Sequence, residues 1–131
     1  MTTVLVDGSA SGPLMVLSEP LSFWGGVDPA TGTIIDRSHP AVGESVAGKI
    51  LYMPYGRGSS SSASVIAETI RNGAGPVGFI LGEPDEIVVT GVYVANSLYG
   101  TSVPVMVTEL ADDTDNWVLL DDSGARSVAG G

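Results

Sequence analysis

Apolar residues fall in short blocks along the chain, and two periods can be read from them. Thr3–Val6 is a brief β-like run that stops at Asp7-Gly8, and Pro13–Ser18 is a second. Lys49–Pro54 reads as a buried strand, Gly78–Leu81 as another after Gly75-Pro76, and Val103–Val107 as a third. Thr33–Asp36 resumes as a strand after an Asp-Pro-x-x-Gly turn at Asp28–Gly32, and Trp117–Leu120 is placed to close the sheet. The helical period is clearest over Ser60–Asn72, where Val65, Ile66, Thr69 and Ile70 share one face. Ser59 or a neighbouring serine supplies the N-cap, and Asn72-Gly73 the stop. Glu86–Thr90 is a short apolar block, and Gly91–Leu98 predicts a second short helix with Val92, Ala95 and Leu98 on one side.

Strands with two helices between them predict an α/β fold, a β-rich, barrel-like sandwich with flanking helices. The 131 residues fit one domain, with a core over about 4–120 and a mobile tail from Ser123. Hydrophobic residues make up 44%, enough for a core, while 18 Gly and 8 Pro against 6% aromatics favour many short elements and tight turns.

Charge narrows the function classes. There are 15 acidic and 5 basic residues, a formal net charge of −10. The basic residues, Arg37, Lys49, Arg57, Arg71 and Arg126, are scattered, whereas phosphate-backbone binding needs them clustered. Nucleic acid and anionic membrane are not expected partners. No apolar run reaches the roughly 18 residues of a membrane span. Met1-Thr2-Thr3-Val4 lacks the features of a signal segment, so a soluble cytoplasmic protein is the expectation. With no cysteine, no thiolate metal site can form within the chain.

Two segments carry candidate chemistry. The first runs from a strand through Gly56-Arg57-Gly58 and four serines, Ser59–Ser62, into the best helix. A helix start presents unpaired N–H groups and the positive end of the dipole, and glycines let an anion approach the backbone. Arg57 adds a planar donor fork suited to a carboxylate or phosphate. Ser59 and Ser60 add hydroxyls. The segment lacks the Gly-Lys-Ser/Thr ending of a P-loop and is no Gly-x-Ser-x-Gly elbow. From residue types alone, a plain serine cap on a flexible loop explains it equally well.

The second segment is Leu21-Ser22-Phe23-Trp24-Gly25-Gly26-Val27-Asp28, a core plug and turn or the wall of an interface, since Trp is favoured at hot spots. Asp28 and Asp36 have no metal-binding spacing around them, so no metal is assigned. His39, the only imidazole, reads as a loop residue making local hydrogen bonds.

Leu21–Gly32 followed by Asp36-x-x-His39-Pro40, together with Gly56–Ser62, resembles the signatures of the aconitase X small subunit, or swivel domain. Val94-Ala95 and Leu98-Tyr99-Gly100 fit a third, weaker segment, and the resemblance covers roughly Gly8 to Val107. It implies a swivelling β/β/α domain that closes over a larger domain or subunit carrying an iron–sulfur cluster or iron. The implied reactions are dehydrations of hydroxy acids: of cis-3-hydroxy-L-proline in bacterial members, of mevalonate 5-phosphate in archaeal ones. In ordinary aconitases a similar Gly-Ser-Ser turn carries the base on its first serine. Carried over, that role falls on Ser59, with Arg57, Gly58, Ser60 and Ser61 around the substrate carboxylate. The ordinary motif continues with Arg where this chain has Ser61, and Arg57 lies ahead of the serines instead. The phosphomevalonate branch more often has Gly-Lys-Gly-Ser-Thr, so Gly-Arg-Gly-Ser-Ser-Ser-Ser favours the hydroxyproline branch. The resemblance thus implies the small subunit of a hydro-lyase, active only with an aconitase X large subunit. The rival of another class is a non-catalytic swivel module with an anion-binding cap.

Overall fold

The computed structural model describes residues 2–56, 60–110 and 116–128. The strands in chain order are β1 (Thr3–Val6), β2 (Ala10–Val16), β3 (Ile50–Met53), β4 (Gly78–Leu81), β5 (Val105–Val107), β6 (Trp117–Asp121) and β7 (Gly124–Ser127). Helix α1 (Ser60–Arg71) connects β3 to β4, and α2 (Glu86–Tyr99) connects β4 to β5. All seven strands form one sheet in the order β1-β5-β4-β3-β2-β6-β7. The central four run parallel, and β1, β6 and β7 are antiparallel additions at the two sides.

Strand periodicity divides the apolar residues between two cores. Leu51, Met53, Phe79, Leu81 and Val105 pack with Ile66, Ile70, Val88, Val92 and Ala95 of the helices. The alternate residues Ile50, Ile80 and Met106 pack with Val118 and Leu120 of β6. Parallel strands buried on both faces need such continuous apolar runs. Each such side chain contributes about 1.5–3 kcal/mol when fully buried. The sheet curls so far that its outer ends approach each other. Thr2 lies just ahead of β1, at one end of the sheet. A Cβ on Gly124, at the start of β7, would lie 2.8 Å from Thr2 Oγ1. The result is the expected barrel-like α/β fold.

Three local expectations are corrected. Residues 33–36 form no strand; Thr33 and Ile34 make only single bridges, to Ser45 and Val27. The core does not stop near residue 120, because Gly124–Ser127 pairs along β6 from Val118 to Asp121. Arg126 clamps Asp121 through two hydrogen bonds of 3.1 and 2.8 Å and holds its carboxyl below the usual range. Third, residues 86–99 are one helix, not a short block followed by a helix from Gly91. Asp85 caps it, its Oδ1 accepting from Val88 N at 3.0 Å, and Gly100 ends it in the left-handed region at φ 69°. Gly91 lies inside this helix because α1 crosses it there. A Cβ at 91 would sit 2.8 Å from Ala63 O and 2.9 Å from Ile66 Cβ.

Candidate active site

The parallel strands direct their carboxyl ends to one edge of the sheet, where open α/β sheets place ligands. Both helices begin there. β3 ends at Met53 and leads through Pro54, Tyr55 and Gly56 to the serine segment. Arg57, Gly58 and Ser59 lie outside the described residues. Ser60 and Ser61 are exposed in the first turn of α1, which holds no acidic residue. Ser62, one residue on, is only 1% exposed.

The approach to the serine segment is anchored on the second helix. A Cβ at Gly56 would lie 2.4–2.6 Å from the carboxyl atoms of Asp85, the α2 cap. Only glycine lets this backbone pass so close to a carboxylate already engaged with Val88. The strand ends are tied as well: Gly82 N donates to Met53 O at 3.2 Å and Glu83 N to Pro54 O at 3.1 Å. Beside them Ser18, Glu19, Pro20, Pro54 and Tyr55 line an open cleft of about 640 Å³.

The Phe-Trp-Gly-Gly segment is brought to the same place. Phe23 is buried, its ring 6.2 Å from that of Phe79. Trp24 is 58% exposed. Gly25 adopts φ 74°, and Val27 N donates to Phe23 O at 3.3 Å, which closes a tight turn. Ser62 joins this turn to α1: Trp24 N donates to Ser62 Oγ at 3.2 Å, and the hydroxyls of Ser62 and Ser22 are 3.2 Å apart. The two signature segments are therefore one structural unit.

His39 is buried and uses both ring nitrogens on backbone. Nδ1 accepts from Ala41 N at 3.0 Å, so Nε2 carries the proton and donates to Glu19 O at 3.2 Å. It pins its loop beside the cleft. Asp28 Oδ1 accepts from Ala30 N at 2.9 Å, and Asp36 Oδ1 accepts from Ser38 N and Oγ at 2.9 and 2.7 Å, both within turns. Without cysteine, and without a group of three or more His, Cys, Asp or Glu among the described residues, the chain's donors do not fit an iron–sulfur cluster. No helix among the described residues is long and apolar enough to cross a membrane.

The sequence reading placed Ser62 in the serine segment without a role of its own, and it missed Asp85. Ser62 carries a signal, since it stands four residues before Ile66 on the buried stripe of α1. Asp85 carries one too, as an acidic capping residue directly ahead of the Glu86-Ile87-Val88-Val89 run.

The sequence matches the family model described as Aconitase X swivel domain over residues 1–127. Among curated relatives, cis-3-hydroxy-L-proline dehydratase of Pseudomonas aeruginosa is 48% identical over 101 residues, 77% of this chain and 17% of that protein. The enzyme of the same name from Hypocrea jecorina is 44% identical over 84% of this chain and 18% of its own length. The chain thus spans under a fifth of these two relatives. The phosphomevalonate dehydratase small subunit of Methanothermobacter thermautotrophicus is 42% identical over 92 residues, 70% of each chain. The crystal structure of Thermococcus kodakaraensis aconitase X in its holo-form superposes with a TM-score of 0.83 at 32% identity, over 96% of this chain and 95% of that one.

Proposed function

The chain belongs to the aconitase X swivel-domain family, and from that premise we propose that it is the small subunit of a two-chain hydro-lyase that dehydrates a hydroxy acid. The observation that carries this reading is the start of α1: exposed serines, no acid in the first turn, and an incoming glycine fixed against Asp85. An α-helix start of this kind favours a carboxylate. Ser59, directly ahead of α1 in the sequence, is the base that removes the proton alpha to the substrate carboxylate. A serine does this only as an alkoxide, which a cation and helix N–H groups stabilise. Arg57, Gly58, Ser60 and Ser61 surround the carboxylate and the charge that develops on it. Any iron–sulfur centre or iron resides on the large subunit, where it would act as a Lewis acid toward the leaving hydroxyl.

The substrate we favour is cis-3-hydroxy-L-proline, supported by the 48% identity to the Pseudomonas enzyme and by the Gly-Arg-Gly turn. Mevalonate 5-phosphate is the second reading, supported by the 42% identity to the Methanothermobacter small subunit. The test is to co-purify the chain with a large subunit and assay both substrates, with Ser59→Ala beside the parent. Ser59→Ala is expected to lower kcat by about 10²–10⁴, the usual contribution of a positioned base. Near-normal turnover would remove Ser59 from that role. No turnover of either substrate by an assembled pair would favour the non-catalytic module.

A further inference from the structure

Of the described serines Ser60, Ser61 and Ser62, the last is the one that turns away from solvent, and its hydroxyl closes a ring of hydrogen bonds. Ser22 Oγ donates to Trp24 O at 3.3 Å. Its proton being used there, Ser22 accepts from Ser62, 3.2 Å away. Ser62 Oγ in turn accepts from Trp24 N at 3.2 Å. The path runs Trp24 N–H, Ser62 O–H, Ser22 O–H, Trp24 C=O, with each hydroxyl donating once and accepting once. Such chains polarise one another, and a ring closed on buried Ser62, with both hydroxyls satisfied, favours one geometry of the turn. What it holds is the backbone of an exposed tryptophan. Phe23 anchors the turn from below, Gly25 and Gly26 shape it, and a Cβ at Gly26 would collide with Ser22 O.

We infer that Ser62 is a positioning residue that locks the Trp24 backbone to the first turn of α1, so that the turn bearing the indole and the exposed Ser60 and Ser61 are presented together. This rests on the reading of the serine segment as half of an active site. An aromatic held rigid on its backbone yet exposed on its ring loses little entropy when covered, and its tie to the first turn of α1 makes Trp24 a wall for the substrate. Ser62 acts through Trp24 and touches no reacting atom.

The test uses the full chain and the assembled pair. In a Trp117→Phe background, Trp24 is the only tryptophan, and its fluorescence anisotropy and acrylamide quenching report the turn. Ser62→Ala should lower the anisotropy and raise quenching at least twofold. In the pair it should reduce kcat/KM about 10- to 100-fold, the cost of misplacing a site by about an ångström. Ser22→Ala breaks the same ring from a half-buried position, so it serves if Ser62→Ala fails to fold, and the double variant should be no worse than either single one. Val118→Ala, a core change remote from the turn, controls for lost stability and should leave kcat/KM and Trp24 unchanged. Unchanged Trp24 signals in Ser62→Ala, or additive losses in the double variant, would overturn the inference. If the parent pair turns over neither substrate, the optical experiment still decides the clasp while the catalytic reading fails separately.

Discussion

Two helices start at the same edge of the sheet, and their first turns are built oppositely. α2 begins with Asp85 as cap and Glu86 in its first turn. Asp85 accepts from Val88 N, and both carboxylates lie at the positive end of the α2 dipole. α1 begins with serines and has no acid in its first turn, although acidic residues outnumber basic ones three to one in this chain. Acids near a helix start stabilise it by about 0.3–1 kcal/mol each. Their absence at α1 forgoes that gain and leaves the positive end of the dipole available. In the proposed site, the helix closed by carboxylates would support and the helix without them would meet the anion. Gly56 connects the two, since the chain enters the serine segment by passing against the carboxylate that caps α2.

Making α1 resemble α2 should give the largest effect. Ser60→Asp places a carboxylate in the first turn and should stabilise the chain by about 0.3–1 kcal/mol. It should also repel an anionic substrate. Like charges about 6 Å apart at an effective dielectric of about 40 repel by about 1.4 kcal/mol, a tenfold rise in KM. Stability and KM rising together, by thermal melts and steady-state kinetics of the assembled pair, is the signature. Ser60→Asn separates charge from size and should leave KM within about twofold. A substrate affinity indifferent to the added charge would mean that α1 does not face the anion.

The crossing of the two helices gives an intermediate effect, with competing signs. Gly91→Ala improves intrinsic helix propensity by about 1 kcal/mol. The new Cβ, however, would lie 2.8 Å from Ala63 O and 2.9 Å from Ile66 Cβ. Ala63 belongs to the first turn of α1 and cannot retreat without moving it. Overpacking costs about 1–3 kcal/mol and so outweighs the propensity gain. The urea midpoint should fall, and kcat/KM should fall with it because the serine segment is carried on α1. A more stable chain would show that the helices can separate at no cost.

Much of this architecture was legible in the sequence, and what was not depended on contacts distant along the chain. Ile66, Thr69 and Ile70 state the period of α1 directly. Leu51 and Phe79 lie in apolar runs that read as buried strands. Gly91, by contrast, reads as a break within its own neighbourhood, because its reason is the backbone of Ala63, 28 residues earlier. Gly124–Ser127 carries no apolar alternation; its strand is held by pairing with β6 and by the Arg126–Asp121 clamp. Thr33–Asp36 has strand composition but meets only isolated bridge partners. At the site, the resemblance located the serine segment, and periodicity sets Ser62 apart from Ser60 and Ser61. Its partners Ser22 and Trp24, 40 and 38 residues away, follow only from the fold.

The smallest expected effect comes from the converse change, taking charge away from α2. Asn caps a helix as well as Asp does, so Asp85→Asn keeps the bond to Val88 N and removes only the negative charge. The lost interaction with the dipole should cost about 0.5 kcal/mol, near the limit of a careful denaturant titration. Kinetics make the variant informative. The carboxylate beside Gly56 repels an anion bound at the adjoining serine segment, so its neutralisation should lower KM slightly or leave it alone, and high salt should erase the difference. Ser60→Asp and Asp85→Asn thus predict opposite signs in both stability and affinity. A KM that rises several-fold in Asp85→Asn would mean that the carboxylate positions the Gly56 backbone through its charge, and the two helix starts would then be one cooperative device rather than a support and a site.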